Sequence, residues 1–112
     1  MTANLIRSIG ESGFSEIVSP DGKIKVFAFY EANSGTYEMM LPVLESVSNE
    51  FRERVLFYAM DVSDQDEFMS KFHFYRTPFF LIIKGEEIVD SMVGLISLSR
   101  FRRNINNVIY KN

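Results

Sequence analysis

Residues 29–42 of the chain read FYEANSGTYEMMLP, and they join the end of an apolar run to the start of an amphipathic pattern. It begins at the end of a nearly all-apolar run, Lys25 to Tyr30, which is typical of a strand covered on both faces. After Ser34, apolar residues recur at steps of three and four, which predicts a helix with Ser34 as its N-cap. Pro42 lies inside that helix and removes one backbone donor, so we expect a kink there.

Apolar runs and polar turns continue to alternate downstream of this helix. Residues 55–60 predict a second buried strand. Ser63 and the acidic residues that follow it predict the capped start of a short helix. That helix would turn Phe68, Met69 and Phe72 toward the core.

The last third of the chain predicts a hairpin and a helix. Residues 79–83 are apolar, residues 84–86 contain a glycine typical of a turn, and residues 87–93 would return as the antiparallel partner. Ser97 or Ser99 would then cap an amphipathic helix that closes one face of the sheet.

The segment before the first buried strand carries weaker patterns. Residues 5–9 predict a short edge strand, and Phe14, Ile17 and Val18 predict a short helix. The predicted order is therefore β-α-β-α-β-α-β-β-α. With no repeat, low-complexity tract or long linker, residues 1–112 are predicted to form a single α/β domain.

Composition excludes several classes of partner. The formal net charge of -3 lacks the excess of Lys and Arg that a nucleic-acid phosphate backbone requires, so we expect no nucleic-acid partner. No apolar run is long enough to span a membrane, so we expect no membrane association. The sequence opens without the layout of a signal peptide, and we expect a cytoplasmic protein. A secretory leader removed ahead of this sequence remains an open alternative.

Acidic residues at Asp61, Asp64, Asp66 and Glu67 resemble cation ligands only superficially. They lack the glycine and ligand spacing of a calcium loop, and helix capping accounts for them. With one histidine, His73, and no cysteine, the chain offers almost no ligands for zinc. We expect neither a metal site nor a cofactor.

The stretch from Phe29 to Pro42, with the later Thr77-Pro78, resembles the thioredoxin family. Ser34 and Tyr37 stand where that family has the two cysteines of its Cys-Gly-Pro-Cys motif. Further matches are Phe72 and the Val93-Gly94-Leu95 segment. The resemblance covers nearly the whole chain and implies a thioredoxin fold, with a mixed four- or five-stranded sheet flanked by about four helices. It also implies a cis bond at Pro78.

The residues that carry the family's chemistry are absent here. Dithiol–disulfide exchange requires a thiolate and a second thiol, and the chain contains no cysteine, so its own side chains cannot perform it. Ala28 stands where the family has a buried carboxylate, and Asn33 replaces the tryptophan before the first cysteine. Three linked changes favour a naturally redox-inactive domain over a single altered cysteine.

Two motif residues leave alternatives open. Ser34 is interpreted as a structural N-cap, and a Ser34-dependent hydrolase with His73 as its base is the alternative. Tyr37 places a large amphipathic ring where a thiol would stand, so it is either packing filler or a recognition contact.

The leading hypothesis for function is a redox-inactive module that binds a protein or an extended peptide. The resemblance to the thioredoxin family implies that the residue before the cis-proline offers its backbone N–H and C=O to an extended peptide, a form of strand addition. The groove would be formed by three segments, namely Asn33, Ser34, Gly35, Thr36 and Tyr37, then Thr77 and Pro78, then Val93, Gly94 and Leu95. The alternative is a structural or assembly subunit that uses the last helix around Arg100, Arg103 and Asn107. The sequence leaves the oligomeric state undetermined.

Overall fold

The computed structural model describes residues 5–111, and it contains the nine elements in the predicted order. The five strands are β1 (Ile6–Ile9), β2 (Ile24–Tyr30), β3 (Val55–Asp61), β4 (Phe79–Lys84) and β5 (Glu87–Val93). The four helices are α1 (Glu11–Ile17), α2 (Gly35–Glu50), α3 (Asp66–Ser70) and α4 (Leu98–Tyr110). The predicted fold class, a mixed sheet of up to five strands with four helices, is confirmed.

The strands form one sheet in the order β1-β3-β2-β4-β5. Strands β1, β2 and β3 are parallel, and β4 is antiparallel to both β2 and β5. The apolar strand β2 therefore lies at the centre, where helices cover both of its faces. The predicted antiparallel hairpin of β4 and β5 is confirmed.

Two hydrophobic clusters cover the two faces of the sheet. On one face, α2 and α4 contribute Leu44, Val47, Phe101 and Ile105 to a core with the inward residues of β2 and β3. This confirms that the last helix closes one face. The other face is rich in aromatic rings, which belong to Phe14, Phe27, Phe29, Tyr58, Phe68 and Phe79, with Phe72 and Phe74 packed against them.

Lys25 is an unexpected member of the core. Its side chain is 1% exposed, although it belongs to the strand that the sequence showed as nearly all apolar. The ammonium group donates to the carbonyls of Ile17 at 2.7 Å and Gly85 at 3.2 Å, and it contacts Asp21 Oδ1 at 2.8 Å. A buried ammonium is tolerated when each of its donors has such a partner. The hydrogen bond from Lys25 also lowers the pKa of the Asp21 carboxyl.

The cap of α4 agrees with the sequence prediction, whereas the caps of α2 and α3 differ from it. The Ser97 hydroxyl accepts from the Arg100 N–H at 3.2 Å, as predicted for α4. Ser34 occupies the N-cap position of α2, but its side chain makes no capping bond. Ser63 is not the cap of α3, because that helix begins at Asp66 and Gln65 precedes it.

None of the described helices is long and apolar enough to cross a membrane. Within residues 5–111, no three His, Asp or Glu side chains are grouped as a metal site would need.

Candidate functional site

The first segment of the candidate groove is the turn that leads from β2 into α2. The Ser34 N–H donates to the Glu31 carbonyl at 3.0 Å, which closes the turn. The Ser34 hydroxyl contacts the Thr36 hydroxyl instead of a free backbone N–H of the helix. The predicted cap bond is therefore wrong, because a neighbouring hydroxyl competes for the serine oxygen.

The arrangement around Ser34 gives no support to hydrolysis. Activation of a serine hydroxyl requires a base within hydrogen-bond reach. Among residues 5–111, no hydrogen bond joins Ser34 to His73. His73 lies in the segment after α3, where its backbone N–H donates to Ser70 and its φ is 60°.

The second and third segments meet at the start of β4. The Thr77–Pro78 peptide bond is cis, which is the isomer that the resemblance implied. The Gly94 N–H donates to the Pro78 carbonyl at 2.8 Å, so residues 93–95 lie against residues 77–78. Gly94 has a φ of 89°, a conformation that favours glycine.

Glu31 connects the first segment with the second. The Thr77 hydroxyl donates to Glu31 Oε1 at 2.8 Å, and the Glu31 carbonyl is the group that accepts from Ser34. One residue therefore contacts both sides of the candidate groove. The sequence prediction missed Glu31, and only its place directly after β2 could have pointed to it.

The backbone of Thr77 is available for a partner. Thr77 is half-buried and lies just before β4, so it is outside the paired part of the sheet. Within residues 5–111, only its hydroxyl makes a hydrogen bond, while its N–H and C=O have no protein partner. Unpaired backbone groups at the end of a strand can pair with an added extended chain.

A small acidic depression lies beside the first segment. It has a volume of about 320 Å³ and is lined by Glu31, Asn33, Ser34, Ser63 and Asp64. The Ala32 N–H donates to the Ser63 hydroxyl at 3.2 Å, which holds the loop after β3 against this turn.

Asp61 lies at the end of β3 and is bonded to Ser63, which lines this depression. The Ser63 hydroxyl donates to Asp61 Oδ1 at 2.6 Å and the Ser63 N–H donates to the same atom at 2.9 Å. These bonds stabilise the carboxylate and lower the pKa of Asp61, first through the hydroxyl and then through the N–H. The residue that was predicted as a helix cap thus organises a carboxylate instead.

Tyr37 packs against Tyr30. Their rings stack with centroids 4.0 Å apart and planes 11° from parallel, and both are packed against the core on the α2 face. Burial, and then the neighbouring Tyr30, raises the pKa of Tyr37 from 10.0 to about 12. The shift therefore extends the pH range over which the phenol stays neutral in the folded chain.

Ala28 lies in the centre of the sheet and is 1% exposed. Its register partners are Ala59 on β3 and Phe80 on β4. Its methyl group cannot transfer a proton, although the resemblance assigns a buried carboxylate to this position. The motif region therefore contains neither a thiol nor that carboxylate.

Comparisons with known proteins agree with this geometry. A family model described as Thioredoxin matches residues 6–107. Thioredoxin 2 of Chlorobaculum tepidum is 23% identical over 109 residues, which cover 97% of this chain and 99% of that protein. Thioredoxin H4-2 of Oryza sativa subsp. japonica is 33% identical over 79 residues, which cover 70% of this chain and 59% of the rice protein.

A solved structure of a wild-type poplar thioredoxin h superposes with a TM-score of 0.84 at 19% identity. The match covers 97% of this chain and all of the poplar chain, and it shows a common fold.

Proposed function

Since the chain belongs to the thioredoxin family, we propose that it is a redox-inactive module that binds a protein or an extended peptide in the groove beside the cis-proline. The chain contains no cysteine, so the groove can hold a partner but its own side chains cannot exchange a disulfide with it. On this proposal the protein acts in the cytoplasm as a binding component, not as an enzyme, and nucleic acid is not its partner.

The observation that carries the proposal is the free backbone of Thr77. Its N–H and C=O are without partners among residues 5–111, and they are located where an incoming extended chain would continue the sheet pattern. Backbone hydrogen bonds would supply affinity without regard to the partner's side chains. Neighbouring side chains would then decide which sequence is accepted.

Two exposed hydrophobic residues close to Thr77 support a partner of mixed character. Leu95 is 55% exposed and follows Gly94, whose N–H is bonded to Pro78. Tyr75 is 76% exposed and lies two residues before Thr77. Large exposed apolar and aromatic side chains are enriched where proteins meet partners. With the carboxylate of Glu31 on the other side, the groove suits a chain with alternating apolar and polar residues.

The test compares partner capture by the wild type and by Thr77→Arg. The arginine crowds the groove without touching the core, so we expect capture to be lost while the melting transition is retained. Ser46→Arg adds the same charge on an exposed part of α2 and serves as the matched control. Thr77→Val removes only the hydroxyl bond to Glu31 and separates that loss from crowding.

The readout is a tagged pull-down from source-cell lysate with identification by mass spectrometry. Partners that bind the wild type and Ser46→Arg but not Thr77→Arg support the groove. Partners that bind all variants equally contradict it. In that case, reversing the charges of the exposed Arg100 and Arg103 tests the alternative, an assembly role through α4.

A further inference from the structure

A cavity of about 470 Å³ opens between strand β1 and helix α2, and we call it the β1–α2 cavity. Its walls include Ile6, Tyr30, Tyr37, Leu41 and Ala59. Small-molecule sites commonly have volumes of roughly 300–1,000 Å³. The cavity is therefore large enough for an organic ligand, and of the predicted groove residues it includes only the ring of Tyr37.

The sheet register explains why there is room here. Ser8, Ala59 and Ala28 are register partners on the adjacent strands β1, β3 and β2, so three small side chains form one row across the sheet. The next row that faces α2 contains Ile6, Phe57 and Val26, which are larger. Helix α2 spans both rows, so space remains above the small one. The stacked Tyr30 and Tyr37 fill only one end of that space.

Within residues 5–111, the side chains that line the cavity carry negative but no positive formal charge. Of the described residues that line the cavity, Glu45 is the only one with a formal charge at neutral pH. The phenol of Tyr37 is neutral at this pH, and burial raises its pKa further, to about 12. Arg7 and Arg52 line an adjoining cavity of about 140 Å³, which shares Leu5 and Ser48 with the β1–α2 cavity. Arg52 donates to Asn49 of the β1–α2 lining at 2.8 Å, so its guanidinium group already has an acceptor. The lining thus offers one carboxylate, the polar side chains of Ser8, Ser48 and Asn49, and apolar surface, with no cationic side chain from the described part of the chain.

We propose that the β1–α2 cavity binds a small amphipathic cation, with an aromatic ring against the Tyr30–Tyr37 pair and an ammonium group beside Glu45. Tyr37 and Glu45 are separated by about 12 Å along the axis of α2, at 1.5 Å per residue. The inward reach of both side chains shortens the gap that a ligand must span. An aryl group joined to an amine by a short alkyl chain has suitable dimensions. This site shares only Tyr37 with the predicted peptide groove, and it does not use Thr77.

Phenylbutylamine is the probe, and phenylbutanol and phenylbutyrate are its neutral and anionic analogues. Each is titrated into the full chain while amide shifts are followed by two-dimensional NMR. We expect the amine to shift amides of β1 and of residues 37–49, and to bind about fivefold tighter than the alcohol, as one partly exposed ion pair allows. The anion should bind more weakly than the alcohol.

Three substitutions of exposed residues test the assignment without disturbing the core. Glu45→Gln should remove the preference for the amine, and Glu38→Gln, on the same helix but outside the lining, should leave it intact. Ser8→Phe should fill the entrance and abolish binding of all three compounds. Equal affinity for the three analogues would refute the role of Glu45. The absence of shifts at millimolar concentration would refute the site itself, whatever the outcome for the peptide groove.

Discussion

Replacing Tyr37 with alanine removes a half-buried ring from the junction of β2 and α2, and the structure allows the cost to be estimated. A buried tyrosine covers roughly 150–250 Å², so half-burial corresponds to about 100 Å² and about 2.5 kcal/mol at 25 cal/mol per Å². Loss of the stack on Tyr30 adds about 1 kcal/mol. The better helix propensity of alanine returns about 0.5 kcal/mol. We expect the free energy of unfolding to fall by about 3 kcal/mol.

The measurement is equilibrium unfolding in urea, with Tyr37→Phe as the matched control. That variant keeps the ring and its stack, so its stability should stay within about 0.5 kcal/mol of the wild type. A loss below about 1 kcal/mol for Tyr37→Ala would refute the assignment of Tyr37 as packing filler. If the alanine variant instead kept its stability and lost partner capture, Tyr37 would be a recognition contact.

Three further predictions follow from particular contacts. The free energy of unfolding should fall between pH 10 and 12 in the wild type, and it should fall less in Tyr37→Phe. The reason is that the pKa of Tyr37 is raised from 10.0 to about 12 on folding, so the unfolded chain loses the phenol proton at a lower pH than the folded chain does. Urea midpoints that change in parallel in the two proteins across that range would contradict this. Lys25→Met leaves two backbone carbonyls without their donor, so it should lower the free energy of unfolding by about 2–4 kcal/mol. The control Asp21→Asn keeps an acceptor oxygen and should lower it less. Guanidinium unfolding measures both. Restoring a dithiol with Ser34→Cys and Tyr37→Cys should give slow reduction of a small disulfide, and a rate equal to that of Ser34→Cys alone would show that the two positions do not form a working pair.

The order of strands and helices was predictable because its signals are local. A buried run such as β2, the three-and-four spacing along α2 and the glycine turn before β5 each identify one element from a few neighbouring residues. The cap at Ser97 is equally local, since its partner is three residues away. At Ser34 the local signal failed, because the serine hydroxyl contacts the Thr36 hydroxyl and no backbone N–H of the helix.

The contacts that define the candidate sites join distant parts of the chain, and for that reason they were not predictable. Glu31 and Thr77 are 46 residues apart, and nothing in either neighbourhood indicates the other. The row of small residues beneath α2 exists only once three strands are aligned in register. The thioredoxin resemblance located Thr77, Pro78 and Gly94, but it gave no indication of the β1–α2 cavity.

The buried ammonium of Lys25 restricts the alignment of the strands that the chain can adopt. Its two carbonyl acceptors lie 8 residues before it and 60 residues after it, at the end of α1 and in the turn after β4. Sliding β4 along β2 by one residue would turn every side chain of β4 to the opposite face and carry the Gly85 carbonyl out of reach. The ammonium would then be buried without its full set of acceptors, a penalty that misaligned apolar strands would not incur. Lys25 thereby favours one alignment of β4 on β2 over others that would bury a similar hydrophobic area. A leucine or valine at this position would not distinguish between these registers.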